Sequence, residues 1–374
     1  MSEELNVLHL IDHLGLGGAQ EVVKGIIGNP KDNDISDVNI QLYSLRQSQF
    51  EKKVDHPNIH VYPSSGRYSL KPLFAVKSFI EKHNIHVLHC HLFRSQCFGW
   101  ILKKMFFPRM TLIFHEHGRV LRGNRVTNCL LRIIRKDVDL FIAVSKFIEE
   151  SLISDVDISP KKIRVLNNYV NTQKFNPSKI DWDIDREKMN VGIGKDDFVV
   201  GFAGRMIRMK GWRVLLSAAS LMRNKEDIKF LIAGEGREKS DMYTAIKNMQ
   251  LDCKVTYLGF VEDMVWFYSL LDCFIVPSWW EAWGVTVLEA QALEVPVIAS
   301  DVPALNEIIK DQKNGLLFKA KDSEDLRQKV KLIYDGENLR CKLVHAGKDT
   351  AENNSLDVYM QNLHDMYLSC PVKG

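Results

Sequence analysis

Two apolar runs, Cys273-Phe274-Ile275-Val276-Pro277 and Val295-Pro296-Val297-Ile298-Ala299, bracket the segment Glu281-Ala282-Trp283-Gly284-Val285-Thr286-Val287-Leu288-Glu289. Short continuous apolar runs read as parallel strands buried on both faces. Between them, Gly284 precedes an apolar stretch that reads as a helix. Strand, loop, helix and strand in that order make one unit of an open α/β sheet, and such sheets bind ligands outside the carboxyl ends of their strands. Glu281 falls in the loop and Glu289 inside the helix, so both carboxylates belong to that end. Facing one crevice, they can grip a polyhydroxylated ligand such as a sugar and a ribose. The other reading is a solvated helix face, and spacing alone weighs the two equally.

Upstream, Val199-Val200-Gly201-Phe202-Ala203 runs into Gly204-Arg205, and Lys210-Gly211-Trp212 leads into an apolar helix from Val214 to Met222. Arg205 and Lys210 therefore sit on a strand-to-helix loop beside a helix amino terminus. Helix-end amides and two cations together suit a phosphate or diphosphate. Further out, β-rich runs alternate with helical ones: 7–11, 39–45, 59–62, 87–90, 111–115, 140–144 and 163–166, then 198–203, 229–233, 255–258, 273–277 and 295–299. This alternation implies parallel sheets with crossover helices. A polar stretch near 172–195 separates the two sets, and 374 residues are too many for one ordinary core. The last helix, about 356–368, carries an apolar face of Leu356, Tyr359, Met360, Leu363, Met366 and Tyr367.

The 45% hydrophobic content is globular, and a net charge of +3 gives no whole-chain argument for nucleic acid. Seven cysteines without a C-x-x-C pair point to reduced thiols and a cytoplasmic location. Met1-Ser2-Glu3-Glu4 is acidic, so no signal peptide is expected, and no apolar run reaches the ~18 residues of a membrane span.

The carboxyl half resembles the retaining glycosyltransferases of family 4, which have the GT-B architecture. The likeness rests on an ordered set: Phe202-Ala203-Gly204-Arg205 with Lys210-Gly211, Leu231-Ile232-Ala233-Gly234-Glu235-Gly236, Val255 to Val261, Glu281 to Glu289, Pro296 to Ala299, Asn306-Glu307-Ile308-Ile309 and Asn314-Gly315-Leu316-Leu317-Phe318. The amino half matches more loosely, at Leu16-Gly17-Gly18-Ala19-Gln20, Phe114-His115-Glu116-His117-Gly118, Ile142 to Ser145 and Val165 to Asn171. The resemblance implies two facing Rossmann-like doubly wound domains with a cleft between them. Residues 1–175 would bind the acceptor and 176–352 the nucleotide-sugar donor, and 353–374 would form a helix crossing back. It also implies a metal-independent, retaining hexosyltransferase that acts on a glycan or lipid-linked hydroxyl, in cell-surface polysaccharide or lipopolysaccharide synthesis. No cofactor is expected; the nucleotide-diphosphate sugar, expected to be a UDP-sugar, is the co-substrate. By the same likeness, Arg205 and Lys210 would stabilise the leaving diphosphate, Glu281 would hold the sugar, and Glu289 the ribose. Gly17, Gly18, Gly204 and the amides of Trp283, Gly284 and Val285 would approach sugar and phosphate oxygens. Phe260 would border the base and His117 would contact the transferred sugar. Ala282, Glu294-Val295 and Val302-Pro303-Ala304 depart from the family pattern near the donor sugar.

Other features are weighed on their residues. Gly15-Leu16-Gly17-Gly18 lacks both the third glycine, where Gln20 stands, and the downstream acid of a dinucleotide fingerprint. His89 with His91, and His115 with His117, are spaced i, i+2 at strand ends, but no carboxylate or cysteine supports a metal site. Asp181-x-Asp183-x-Asp185 reads as turn and cap chemistry rather than metal ligation. Trp280 reads equally as a sugar platform or as core. Between Arg94 and Lys136, basic residues interleave with apolar ones, and Glu116 is the sole acid. That composition suits an anionic membrane face, with Trp100, Lys103, Lys104, Phe106, Phe107 and Arg109 as contacts, or two core helices with basic outer faces. The remaining alternatives are a nucleotide-sugar epimerase or phosphorylase of similar architecture, told apart by acceptor or phosphate dependence, and a non-catalytic carbohydrate or membrane adaptor.

Overall fold

The structure is a computed structural model that describes residues 4–15, 17–28, 37–48, 56–63, 66, 69–118 and 125–370, with the backbone alone at 125–127. The chain forms two compact units, one of residues up to Asn168 together with those from Leu356, the other Tyr169–Ser355. The division falls ahead of the expected 175/176 because Tyr169 and Val170 run with the far end of the second unit. There the Val170 amide donates to the Asn354 carbonyl at 2.9 Å, and Val170 bridges Ser355.

Among the described residues, the first unit's strands are β1 (Leu5–Ile11), β2 (Val38–Ser44), β3 (Ile59–Val61), β4 (Val87–His91), β5 (Thr111–Glu116), β6 (Leu140–Ala143) and β7 (Ile163–Val165). Its helices are α1 (Gly18–Ile27), α2 (Lys71–Lys82), α3 (Phe93–Met105), α4 (Arg125–Ile134), α5 (Lys146–Val156) and, from the chain's end, α14 (Leu356–Ser369). The second unit holds β8 (Phe198–Ala203), β9 (Ile228–Ala233), β10 (Val255–Gly259), β11 (Cys273–Val276), β12 (Val297–Ser300) and β13 (Leu316–Phe318). Its helices are α6 (Ile184–Asn190), α7 (Trp212–Leu221), α8 (Lys239–Asn248), α9 (Met264–Ser269), α10 (Val285–Ala292), α11 (Pro303–Ile308), α12 (Ser323–Asp335) and α13 (Glu337–Asn353). Strand β13 is the one the sequence pattern did not yield; three residues are too few to show a period.

The strand orders are β3-β2-β1-β4-β5-β6-β7 and β10-β9-β8-β11-β12-β13, with parallel pairings throughout. Each order reverses once, between β1 and β4 and between β8 and β11. At such a switch point the flanking connections leave in opposite directions and open a crevice at the carboxyl ends. The central strands are covered on both faces. Leu8 and Leu10 of β1 are fully buried, as are Phe114 of β5 and Phe141 of β6. In the second unit Phe202, Trp212, Phe230 and Phe318 join one core cluster. Burying each such side chain contributes about 1.5–3 kcal/mol. Local chemistry starts the helices: Ser145 accepts from the Ile148 amide at 3.2 Å, and Asp263 from the Val265 and Trp266 amides at 3.0 and 3.1 Å. Asp183 caps α6 through the Arg186 amide, as its turn-and-cap reading anticipates.

Candidate active site

In the second unit the loops after β8 and β11 flank the switch point, and they carry Arg205, Lys210 and Glu281. Gly211 brings the two loops together. It has a φ of 73°, and a Cβ there would lie 1.8 Å from the Pro277 carbonyl oxygen. Only glycine permits that approach without strain. The Trp279 amide donates to the Met209 carbonyl at 2.8 Å, a second tie between the loops. The Lys210 Nζ then lies 2.5 Å from Glu281 Oε1, and the Ser278 hydroxyl donates to the same oxygen at 2.7 Å. Both charged side chains are partly open to solvent, at 23% and 14% exposure. Arg205 is exposed, and its guanidinium has no partner among the described residues. The two cations read as a pair thus differ: Lys210 is already held by a carboxylate, and Arg205 is not.

Glu289, half-buried on α10, accepts from the Tyr268 hydroxyl at 3.0 Å. Tyr268 is fully buried on α9. Burial first, then the charge of Glu289 and its hydrogen bond, push the phenol well above its ordinary range, so it remains a donor. Sequence reading missed Tyr268, because a tyrosine inside an apolar helix has the pattern of core. Gly204 sits between β8 and Arg205, and Phe260 follows β10 with 55% exposure. Trp283 is buried, so its indole faces the protein and only its backbone lies at the amino end of α10, next to Gly284 and Val285. Trp279 is met by Arg208 and Lys321, 5.1 and 4.7 Å from its ring centre.

In the first unit the β1–α1 loop carries Gly17, and Gly18 opens α1; Leu16 lies outside the described residues. A Cβ on Gly18 would meet nothing within 4 Å, which leaves that backbone open to a ligand. Nearby, Asp12 is gripped by Arg46 at 2.9 Å and Arg94 at 2.8 Å, a triad with one net positive charge. Burial would raise its carboxyl, but three hydrogen bonds from the two guanidiniums and their charge hold it below its usual range.

Strand register gathers a buried polar cluster in this unit. His9 pairs with His89 across β1 and β4, and His91 with His115 across β4 and β5. Side chains two apart share a face, so His9, His89, His91, His115 and His117 gather above three adjacent strands. The first four are fully buried, and His117 is half-buried just beyond β5. His117 Nε2 lies 2.8 Å from His91 Nδ1, and His91 Nε2 lies 2.9 Å from His9 Nδ1. Tyr367 of α14 contacts both His9 Nε2 and His89 Nδ1 at 2.7 Å. Burial holds His9 and His117 down at about 3, with the charge of His117 acting further on His9, and His89, His91 and His115 also lie well below the usual range. Two trios, His9-His89-His91 and His91-His115-His117, are close enough to be considered for a metal ion. Leu92, right after His91, has a φ of 68° and ψ of 155°, a conformation that costs a leucine about 1–3 kcal/mol. On the other face of β5, Glu116 accepts from Gln96 Nε2 at 2.8 Å, and burial raises its carboxyl to about 7 against that bond.

Three of the six residues named for a membrane face are paired within the protein. Trp100 donates to Asp137 at 2.7 Å, Lys104 pairs with Asp137 at 3.1 Å, and the buried Lys103 pairs with Asp139. Arg135 pairs with Asp157 at 2.6 Å. These acids stand just past the basic window, so the fold neutralises a charge that a window count leaves open. Arg109 and Met105 are exposed, and Phe106 and Phe107 are half-buried. Arg119, Val120, Leu121, Arg122 and the side chain of Arg125 lie outside the described residues. No helix among the described residues is long and apolar enough to cross a membrane.

Two doubly wound parallel sheets, with basic and acidic loops at a switch point, define the GT-B class of glycosyltransferase. Residues 37–174 match the family described as Glycosyltransferase Family 4, and residues 183–350 match Glycosyl transferases group 1. The chain belongs to the family 4 type of glycosyltransferase. It is 25% identical over 353 residues to an uncharacterised glycosyltransferase of Methanocaldococcus jannaschii, covering 90% of this chain and 86% of that one. It is 22% identical to the UDP-Gal:alpha-D-GlcNAc-diphosphoundecaprenol alpha-1,3-galactosyltransferase of Escherichia coli, over 81% and 80% of the two chains. Among solved structures, Anabaena HepE in complex with UDP and glucose superposes with a TM-score of 0.84 at 17% identity, covering 98% of this chain and 100% of that one. A glycosyltransferase from Rickettsia africae gives 0.83 at 21% identity, covering 97% and 98%.

Proposed function

We propose that this glycosyltransferase moves a hexosyl group from a UDP-sugar to a hydroxyl of a glycan or lipid-linked acceptor, with retention of anomeric configuration and without a metal ion. The observation that carries this reading is the convergence of Lys210 and Ser278 on one oxygen of Glu281 at the second unit's switch point. Both bonds fall on Oε1, leaving Oε2 for a sugar hydroxyl. An ammonium has three donors, and Glu281 takes one, so Lys210 keeps two for phosphate oxygens. As the sugar–phosphate bond breaks, negative charge gathers on the diphosphate and positive charge at the anomeric carbon. Arg205 and Lys210 stabilise the first and Glu281 the second, in a site organised before the reaction. Glu289, oriented by Tyr268, binds the ribose hydroxyls. Gly17, Gly18, Gly204 and the amides at Trp283 to Val285 let backbone approach the donor, Phe260 borders the base, and His117 contacts the sugar. The E. coli relative's UDP-Gal donor and the UDP-bound Anabaena structure support the choice of base. The enzyme works in the cytoplasm. Where the acceptor is lipid-linked, contact with the cytoplasmic membrane face falls to Met105, Phe106, Phe107 and Arg109.

A thermal-shift series with UDP-, GDP- and ADP-sugars tests the donor. A ligand at ~100 times its Kd adds about 2.7 kcal/mol of stability. UDP-sugars alone should raise the melting temperature, and the product anomer formed in the presence of a chelator should match the donor's. A folded protein that responds to no nucleotide sugar would remove this reading.

A further inference from the structure

Four short contacts link five buried or half-buried groups in one line: His117, His91, His9, Tyr367 and His89. The nitrogen pairs stand 2.8 and 2.9 Å apart, which is hydrogen-bond spacing. Two imidazoles on one tetrahedral zinc, each about 2.0–2.1 Å from the metal, would hold their nitrogens roughly 3.3 Å apart. The line is therefore a hydrogen-bonded chain, and its chemistry follows from counting protons. A neutral imidazole has one N–H and one lone pair. His91 and His9 each use both ring nitrogens inside the chain, so neither can donate twice or accept twice. Tyr367 passes the direction on by accepting from one neighbour and donating to the other, or it accepts from both; in each case one donor, a ring N–H at an end of the chain or the Tyr367 O–H, has no acceptor among the described residues. The bonds from His117 through His91 and His9 to Tyr367 run in one direction in every case.

The direction fixes the rings together. If the protons point toward Tyr367, then His117, His91 and His9 all carry hydrogen on Nε2. If they point toward His117, all three carry it on Nδ1. A free neutral histidine side chain favours the Nε2–H form, so three rings locked together favour it collectively. We infer that Tyr367, on the last helix, is a positioning residue: it joins His89 to His9 and so holds His117 as the Nε2–H tautomer, with Nδ1 a bare acceptor. Nδ1 of His117 and Nε2 of His89 are the two ends of the chain, and both are enclosed without a partner among the described residues. Burial keeps every ring neutral, as the count requires. His115 lies outside the chain, stacked on His117 at 4.1 Å with both ring nitrogens unpartnered. The functional half of this inference rests on the reading that His117 contacts the transferred sugar: an acceptor there receives a hydroxyl hydrogen that the other tautomer would repel.

Long-range ¹H–¹⁵N correlation spectra of the histidine-labelled full chain test it. The wild type should show Nε2–H at His9, His91 and His117. Tyr367→Phe keeps the ring and removes only the hydroxyl, so His9, His91 and His117 should become tautomer mixtures. In His89→Met the Tyr367 hydroxyl has only His9 left to donate to, so the remaining rings should shift toward Nδ1–H. Both variants should lower kcat about tenfold and leave KM for the nucleotide sugar unchanged. A purely structural role would lower the melting temperature without moving the His117 nitrogen shifts, and that result would overturn the inference. So would mixed tautomers in the wild type, or stoichiometric metal in the purified protein. Shifted tautomers with unchanged kcat would overturn the positioning role alone. Absence of transfer activity in the wild type would instead count against the proposed function, with the spectra still judging the chain.

Discussion

At the residue scale, the proposed site separates into groups assigned to the leaving phosphate and groups assigned to the sugar and ribose. Removing Arg205 or Lys210 takes away a cation that matters most as the bond breaks, so either alanine variant should lose about 100-fold or more in kcat. Lys210→Ala also strips Glu281 of its ion pair, whereas Arg205→Ala breaks no side-chain hydrogen bond or ion pair among the described residues. The Lys210 variant should therefore lose stability as well, and the Arg205 variant should not; turnover assays paired with urea unfolding check this. Glu281→Gln keeps the hydrogen bond to Ser278 but removes the charge, and should lose turnover while holding the nucleoside diphosphate normally. Glu289→Ala should weaken that binding, and Tyr268→Phe should weaken it about tenfold by loosening the same carboxylate. Calorimetric titration with the nucleoside diphosphate decides the division; equal binding by Glu281→Gln and Glu289→Ala would end it.

At the scale of elements, a single loop contact and a single helix carry the argument. Gly211 lets the β8–α7 loop close on Pro277. Gly211→Ala should cost about 2 kcal/mol or more and lower kcat with it, since Lys210 and Glu281 lie on the two loops it joins. Helix α3 shows why basic composition misled. Lys103 is a buried partner of Asp139, with 9% and 18% of the side chains exposed. Lys103→Glu would set two acids against each other and should cost about 3–5 kcal/mol in urea unfolding. It is thus a poor probe of membrane binding. Phe106→Ser with Arg109→Glu is the better one, and should release the enzyme from anionic liposomes at low salt if the acceptor is lipid-linked. Wild-type enzyme left in the supernatant at low salt would favour a soluble acceptor.

For the whole molecule, the histidines make stability unequal between the two units. All five clustered rings belong to the first unit, while the second contains only His345. Their folded-state values lie far below the unfolded value near 6.5. The unfolded chain therefore takes up protons that the folded chain refuses. The resulting stability is fully present above about pH 6.5 and is lost as pH falls toward 3, by up to about 1.4 kcal/mol per pH unit for each ring. Glu116 acts oppositely: raised to about 7, it contributes stability below its unfolded value that is lost as pH rises through 7. Five rings outweigh one carboxyl, so acid should unfold the first unit selectively. Below about pH 6 the urea transition should split in two, with the near-neutral transition restored by replacing His9 or His115 with an uncharged residue. One unsplit transition from pH 8 to pH 4 would contradict this.

What the sequence determined by itself is what depends on neighbours along the chain. Apolar runs set the strands, because burial on both faces leaves no room for polar alternation, and the order of strand and helix set two parallel α/β units. Gly204-Arg205, Lys210-Gly211 and Glu281 to Glu289 were legible as a candidate site because groups at strand ends are written in contiguous loops. Tertiary structure alone decided whatever depends on register or on a distant partner. The histidines become one cluster because His9 lies opposite His89, and His91 opposite His115, and no spacing within a strand encodes that. Tyr367 reaches the cluster from 278 residues beyond His89. Asp137 and Asp139 cancel the charge of α3 from across the first sheet's connections, and Tyr268 finds Glu289 only once α9 and α10 pack. Hydrophobic periodicity is local and survives in a string of letters; electrostatic pairing and hydrogen-bond direction act through space, and they exist only after the chain has closed on itself.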